Sequence, residues 1–284
     1  MKQISFSKVG FEGKKRRTRR EVFLAEMERI MLWPELLAVV KPHYPKGAQG
    51  RPPIGLEGIL RAYFVQQWNG LSDEGVEDAI TDSQTLRAFV GINLSRDAAP
   101  EATTAQQFRH LLEKHKLTKK LFEAVNGQLS TAGLMMREGT IADATIIAAP
   151  PSVKNEADVT QTEHLLHGSE KDVFLDAGYV AADKREGLND RDINWQIAMK
   201  RGKLKVVPED TLIGQLLRKL ESVNASIRSK VEHPFHIVKN LFHHKKVRYK
   251  GLAKNTTQLH ALFVLANLMI VKQKLLTLDA QVAS

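Results

Sequence analysis

A change of pattern near residue 134 most constrains the fold of this chain. Residues 21–133 carry apolar side chains at helical spacing, whereas 139–149 is an apolar, β-branched run that ends at two prolines and predicts a strand. Two more strands are predicted at 171–175 and 193–199, with helices at 158–166 and 179–186. Alternating strands and helices are typical of a parallel α/β sheet. We therefore predict a helical region followed by a reduced, mostly parallel sheet.

The helical region and the end of the chain divide into separate predicted helices. Pro34 is expected to cap or kink the first helical run, and Thr103 or Thr104 to cap the fifth helix. A loop rich in proline and glycine is predicted at 43–53. The predicted helices are 21–40, 56–68, one that begins at Ser72, 84–90, 105–115 and 118–133, with two long helices at about 209–232 and 256–278.

Composition excludes several classes of protein. The chain has no cysteine, so that it has neither a disulfide framework nor a thiol nucleophile. With 43% apolar and 26% charged residues it is typical of a globular protein rather than a disordered one. Residues 1–10 lack a signal-peptide core, and the apolar run 261–271 is too short to span a bilayer. We expect a cytoplasmic protein, not attached to a membrane, in which 261–271 is a buried helix.

Basic side chains are concentrated in two stretches. Residues 1–20 and 228–254 each hold eight Lys or Arg and one acidic residue, within a chain of net charge +10. Such asymmetry indicates a polyanionic partner, most simply nucleic acid. An anionic membrane surface is the rival partner, but the basic run 14–20 lacks the apolar face that lipid binding requires. A merely solvated basic tail remains the alternative for that run.

Two aspartates lie where predicted neighbouring strands end. Asp143 belongs to the first strand and Asp176 follows the second, so that both carboxylates are expected at one edge of a parallel sheet. Two aspartates and a third acid would suit Mg²⁺, which prefers oxygen ligands. Aspartates at strand ends are also common as caps and turn residues, and this alternative stays open.

The third acid is predicted on the first of the two long C-terminal helices. Arg228, Glu232 and Lys239 are spaced i, i+4 and i+11, which places them on one stripe of a helix. Pro234 is expected to end or kink that helix just after Glu232, so that only the alignment of Arg228 with Glu232 is secure. An ordinary surface salt bridge is the alternative. The run 242–250 that follows alternates aromatic and cationic residues, which suits a nucleic-acid backbone.

These residues resemble a known family, the bacterial insertion-sequence transposases of the DDE type, insertion-sequence-5 family. The resemblance covers almost the whole chain. It is carried by Arg51-Pro-Pro, Trp68-Asn-Gly-Leu-Ser-Asp-Glu, Thr103-Thr104 with Phe108-Arg-His-Leu-Leu-Glu, Asp143-Ala-Thr-Ile-Ile-Ala-Ala-Pro, Val173-Phe-Leu-Asp176-Ala-Gly-Tyr, Arg228-Ser-Lys-Val-Glu232-His-Pro-Phe, Lys239, and Val247-Arg-Tyr-Lys-Gly-Leu-Ala-Lys-Asn.

The resemblance implies an activity and its residues. Asp143, Asp176 and Glu232 would be the catalytic, metal-binding triad of an RNase H-like domain that uses Mg²⁺, or alternatively Mn²⁺, to cleave and transfer DNA strands. The implied partners are double-stranded DNA, at transposon ends and target, and a second copy in a homodimer. The expected domains are a basic arm at 1–20, a helical DNA-binding domain at 21–133 and the catalytic domain at 134–284. The DNA-binding candidates are Arg16, Arg17, Arg19, Arg20, Arg228, Lys239, Lys245, Lys246, Arg248 and Lys250.

The largest departure of the chain from this family lies between the two aspartates. Relatives place a long segment with two further strands between the two aspartates, whereas Asp143 and Asp176 are 33 positions apart here. We interpret residues 154–158 as the junction of an internal deletion, which would expose an apolar sheet edge and impair activity. A catalytically inactive remnant that only binds DNA is the alternative function. A host nuclease is a weaker alternative, because the N-terminal region also resembles transposases.

Overall fold

The computed structural model describes residues 16–45, 54–92, 98–134, 140–142, 160, 162–166, 168, 170–185, 187–188 and 192–282. The chain forms two compact units, Met1–Leu121 with Leu268–Ser284, and Phe122–Asn267. The functional division at 133/134 stays a prediction. The helices are α1 Arg19–Ile30, α2 Trp33–Val40, α3 Leu56–Trp68, α4 Asp73–Asp82, α5 Gln84–Val90, α6 Ala102–Lys114, α7 Leu117–Thr131, α8 Thr162–Leu165, α9 Arg201–Val206, α10 Leu212–His236 and α11 Leu252–Val282, and the strands are β1 Thr140–Ala142, β2 Asp172–Leu175 and β3 Asn194–Ile197.

Helix ends in the first unit follow local capping chemistry. The side chain of Thr18 accepts from the amide of Glu21, whose carboxylate accepts from the amide of Thr18, which starts α1 with a capping box. The predicted break at Pro34 is confirmed, because the chain divides into α1 and α2 and Pro34 lies in the first turn of α2. Helices α3 and α5 begin and end at the predicted residues.

The predicted start of the fifth helix is wrong. Helix α6 begins at Ala102 rather than at residue 105, and neither Thr103 nor Thr104 is its cap. The first amide of α6 instead donates to the carboxylate of Glu77 on α4, at 2.7 Å. A cap that comes from 25 residues upstream has no local sequence signal, which explains the error.

An aromatic cluster surrounds a buried arginine in the core of the first unit. Trp33 contacts Phe64 and Phe89, with ring centroids 6.0 Å and 6.1 Å apart. The guanidinium of Arg61 lies 4.2 Å from the centre of the Trp33 ring, and its Nη1 donates to the carbonyl of Phe89 at 3.1 Å. Arg61 therefore joins α2, α3 and α5 through one side chain.

The second unit contains the predicted parallel sheet. Its strands lie in the order β1-β2-β3 and both pairs are parallel, which confirms the strand prediction with shorter strands. Val173 and Leu175 of the central strand are almost fully buried. The helix predicted at 179–186 is wrong, because two 3₁₀ turns, Ala177–Tyr179 and Ala182–Lys184, occupy that stretch. Ala181 between them has φ +73°, a left-handed conformation that a continuous helix excludes.

Helix α10 does not end where its proline predicts. It continues through Pro234 to His236 and passes into a π-helical turn, Ile237–Leu241. Packing holds the helix together here, since Phe235 meets Phe263 edge to face at 5.4 Å and Ile237 is buried. The expectation that the helix ends directly after Glu232 is therefore wrong, whereas a kink at Pro234 stays a prediction.

Helix α11 contains the long apolar run near the end of the chain. Most of 261–271 is buried, as predicted for a core helix. By length and composition alone Leu252–Gln281 is also apolar enough to cross a membrane, a test that core helices pass as well.

Candidate active site at the carboxyl end of the parallel sheet

The register of the first two strands pairs the residues that precede the two predicted aspartates in the sequence. Ala142 pairs with Leu175 in the parallel ladder. Asp176 follows Leu175 directly, and Asp143, which follows Ala142 in the sequence, lies outside the described residues. Because parallel strands point the same way, both carboxyl ends lie at the same edge of the sheet.

The carboxylate of Asp176 is oriented by the turn that it starts. Its Oδ1 accepts a hydrogen bond from the amide of Gly178 at 2.8 Å, and it caps the 3₁₀ turn Ala177–Tyr179. The side chain is partly exposed, whereas Leu175 before it and Tyr179 after it are buried. The alternative interpretation of Asp176, as a residue that caps a turn at the end of a strand, is thus confirmed. The second oxygen of its carboxylate remains to serve as a ligand.

Helix α10, which carries Glu232, packs against β1 and β2. Two polar contacts fix it beside the third strand. Asn224 donates to the side chain of Gln196 at 3.0 Å, and Glu221 accepts from the amide of Met199 at 3.4 Å. Glu221 and Asn224 lie on the face of α10 that is turned toward the sheet, so that the helix is held in one rotation.

The position of Arg228 differs from the predicted pairing. Its guanidinium lies 3.8 Å from the carboxylate of Glu221, two turns earlier on α10, rather than pairing with Glu232. Both partners are largely buried, and one terminal nitrogen of Arg228 is buried without a hydrogen-bond partner. Glu232 follows one turn later, about 6 Å along the axis, and is exposed. Glu221 and Glu232 both lie near the stripe of Arg228 on the helix surface, and the guanidinium pairs with the largely buried Glu221 rather than with the exposed Glu232.

The described part of the chain contains no group of three His, Cys, Asp or Glu side chains arranged to hold a metal. Asp143 is not among the residues described, so that the convergence of Asp143, Asp176 and Glu232 stays a prediction. The donors themselves suit a hard cation, because carboxylate oxygens are the preferred ligands of Mg²⁺.

Comparison with known protein families identifies the chain. Residues 96–268, more than half of the chain, match the family model described as a transposase DDE domain, and residues 11–111 match one described as a transposase domain (DUF772). The chain belongs to the DDE transposase family. The two matches together support an insertion-sequence transposase. Transposases of this family act on DNA, and their DDE domain depends on a divalent metal, usually Mg²⁺. No solved structure matches the chain.

The cationic candidates of this transposase are mostly exposed. Arg16, Arg17, Arg19 and Arg20 are exposed at the start of α1 in the first unit. Lys239 is partly buried in the π-helical turn of the second unit. The segment after that turn exposes the other candidates, which are Lys245, Lys246, Arg248 and Lys250.

Sequence analysis missed a buried histidine within this basic segment. His244 is 2% exposed, and neither ring nitrogen has a hydrogen-bond partner. Burial, and secondly the charge of Arg248, lower the pKa of His244 below its ordinary value. His244 is therefore neutral at physiological pH and occupies a buried position directly before the exposed Lys245 and Lys246. The neighbouring His243 has a left-handed φ of +58°. A histidine at position 244 does not by itself indicate from the sequence that its ring is buried.

Proposed function

We propose that this transposase binds the terminal inverted repeats of an insertion sequence and catalyses Mg²⁺-dependent cleavage and transfer of DNA strands, with Asp143, Asp176 and Glu232 as the catalytic carboxylates of an RNase H-like domain. Mn²⁺ would be an alternative ion. The observation that carries the proposal is the β1–β2 register, together with the packing of α10 on both strands. The register aligns Ala142 with Leu175, the residues that precede Asp143 and Asp176 in the sequence, which supports the proposal.

The supporting residues have separate tasks. Asp176 has one oxygen oriented by the amide of Gly178, which leaves the other for a cation. Glu232 is exposed on a helix whose rotation Asn224 fixes by its bond to Gln196. When bound, Mg²⁺ would polarise the scissile phosphate and activate a water or a 3′-hydroxyl. Arg228, whose guanidinium also balances the charge of Glu221, would contact the DNA backbone together with the exposed cations of both units.

A cleavage assay on transposon-end DNA tests the catalytic assignment. Glu232→Gln keeps the size of the side chain and removes its charge, and we expect a loss of Mg²⁺-dependent nicking of at least 100-fold with DNA binding retained, as for loss of electrostatic stabilisation. Asp210→Asn is the matched control, because Asp210 is an exposed acid just before the other end of α10. Equal cleavage by wild type and Glu232→Gln would refute the assignment.

A second proposal concerns the retained activity. We propose that an internal deletion near residues 154–158 has removed two strands and impaired the enzyme, with an inactive DNA-binding remnant as the alternative. Within the described residues β1 pairs with β2 alone, which fits a sheet that has lost strands on that side. Transposition at the rate of an intact relative would contradict the deletion model. DNA binding without any cleavage in Mg²⁺ or Mn²⁺ would favour the remnant.

A homodimer is proposed through α10. Ile213, Leu216, Leu220 and Val223 are 50% to 71% exposed and follow the 3-4-3 spacing by which two helices pair. A second copy that presents the same stripe would bury it on both sides. Leu216→Lys with Leu220→Lys should convert the dimer to a monomer by light scattering, and a monomeric wild type would contradict the proposal. As a DNA-processing enzyme the protein would act in the bacterial cytoplasm, at the nucleoid.

A further inference from the structure

Two histidines from distant parts of the chain stack at a corner of the first unit. The rings of His43 and His115 have centroids 4.4 Å apart and planes inclined by 30°. His43 ends the 3₁₀ turn Lys41–His43 that follows α2, and His115 is the residue at which α6 ends. Both side chains are partly exposed, so that the faces turned outward are accessible to a ligand.

The charges that act on His115 are cationic. His43, Lys114 and Lys120 each act electrostatically on His115. Desolvation first, and these charges next, lower the pKa of His115 below its ordinary value. Lys116 follows directly, exposed and with a left-handed φ of +51°.

Glu113, which precedes Lys114 on α6, and the helix ends do not compensate these charges. The carboxylate of Glu113 is already held at 3.5 Å by Arg109. The carboxyl end of α6 and the amino end of α7 meet at this corner, where the amide of Lys116 donates to the carbonyl of Glu113. The partial charges of the two helix ends are opposite and offset each other, so that the side chains determine the electrostatic potential at this corner. The corner is therefore electropositive and disposed to bind an anion.

We propose that this corner, formed by His43, Lys114, His115, Lys116 and Lys120, binds phosphates of the DNA backbone and takes up a proton on binding. The inference rests on the proposed function in so far as the partner is DNA. A phosphate beside the stacked rings would compensate their mutual repulsion and favour the imidazolium form. Contacts of this kind position the protein on the duplex without reading its sequence.

The composition of the surface favours DNA over a lipid headgroup. Among the large apolar side chains exposed in the described residues, none belongs to α6, α7 or the Lys41–His43 turn. Membrane attachment requires apolar side chains that enter the acyl region in addition to cations. Phosphates along a duplex require cations alone, and here the cations come from two helices and a turn.

Binding of a random-sequence 20-base-pair duplex to the full chain, followed by fluorescence anisotropy, tests the proposal. Lys114→Ala with Lys120→Ala should weaken binding and lower the slope of log K against log salt by about 1 per lysine. Lys274→Ala, which removes an exposed cation of the same unit on α11, is the matched control. Lys114→Arg with Lys120→Arg should retain the slope, which separates loss of charge from misfolding.

The pH dependence of duplex binding tests the role of the two histidines. Wild-type affinity should rise as the pH falls from 8 to 6, because the bound phosphate favours the protonated ring, and His43→Gln with His115→Gln should flatten that rise. Unchanged salt slope and pH profile in the corner variants would overturn the inference, as would tighter binding to phosphatidylserine vesicles than to duplex. The assay needs neither transposon ends nor Mg²⁺, so that a failure of cleavage sinks the proposed catalysis alone.

Discussion

Replacing the buried Arg61 by methionine should destabilise the first unit far more than replacing an exposed arginine. Arg61 is 9% exposed, and its guanidinium donates to both oxygens of Glu28, to Glu57 at 2.9 Å and to the carbonyl of Phe89. Burial by itself lowers the pKa of Arg61, but hydrogen bonds and charges from Glu28 and Glu57 outweigh this and raise the pKa above its ordinary value. The guanidinium is charged at every accessible pH.

The magnitude follows from what the substitution leaves behind. Glu28 and Glu57 are 44% and 56% exposed, so that water replaces the lost ion pairs and little of their energy is forfeited. The carbonyl of Phe89 loses a buried partner, at about 1–3 kcal/mol, and the contact with the Trp33 ring is worth about 1–2 kcal/mol. Methionine retains the apolar stem. The expected loss is the sum of these two contributions, about 2–5 kcal/mol.

Urea denaturation measured by tryptophan fluorescence tests this value. The chain has three tryptophans, of which Trp195 lies in the second unit, so that a Trp195→Phe background leaves Trp33 and Trp68 as reporters of the first. Arg29→Met is the matched control, since Arg29 forms a half-exposed ion pair with Asp279 at 2.7 Å and should cost less than about 1 kcal/mol. A difference below about 0.5 kcal/mol between the two variants would refute the reasoning.

Two further predictions concern the second unit. Gly214→Ala would place its Cβ against the carbonyl oxygen of Pro208 and should lower the free energy of unfolding by about 2 kcal/mol or more. The Cβ of Gly127→Ala on α7 would meet nothing within 4 Å, so that this variant should raise the free energy of unfolding by about 0.5–1 kcal/mol. Thermal unfolding of both variants measures the two changes. The pKa of His244 is lower in the folded protein than in the unfolded chain. As the pH drops below about 6.5 the unfolded chain binds a proton at this histidine first, so that the free energy of unfolding should fall. His244→Gln should reduce that slope, and a slope unchanged in the variant would show that another group titrates.

The sequence predicts structure well where local chemistry decides it. Helix α3 is bounded by Gly55 and by Asn69-Gly70, and α5 ends at Gly91, whose φ of +81° only glycine adopts readily. These signals lie within one turn of the boundary. The parallel order of the strands is also predicted correctly, although two 3₁₀ turns replace the helix expected between β2 and β3.

Errors occur where a distant contact overrides the local signal. Glu77 sets the start of α6 from another helix, and the packing of Phe235 carries α10 past Pro234. The candidate acids Asp176 and Glu232 follow from sequence, but the partner of Arg228 does not. That partner, Glu221, depends on which face of α10 meets the sheet, and the sheet is formed by residues far away in the chain.

Because Ala142 pairs with Leu175, a change of length in the connection between β1 and β2 has a different consequence from a change of length within either strand. The connection between β1 and β2 can gain or lose residues, because its ends are fixed by the ladder and not by its length. One residue inserted within either strand would instead shift the following position by about 3.3 Å and turn its side chain to the opposite face. Length variation between the two aspartates is thus compatible with the proposed cation site, whereas a single-residue insertion three positions before Asp143 or Asp176 is not.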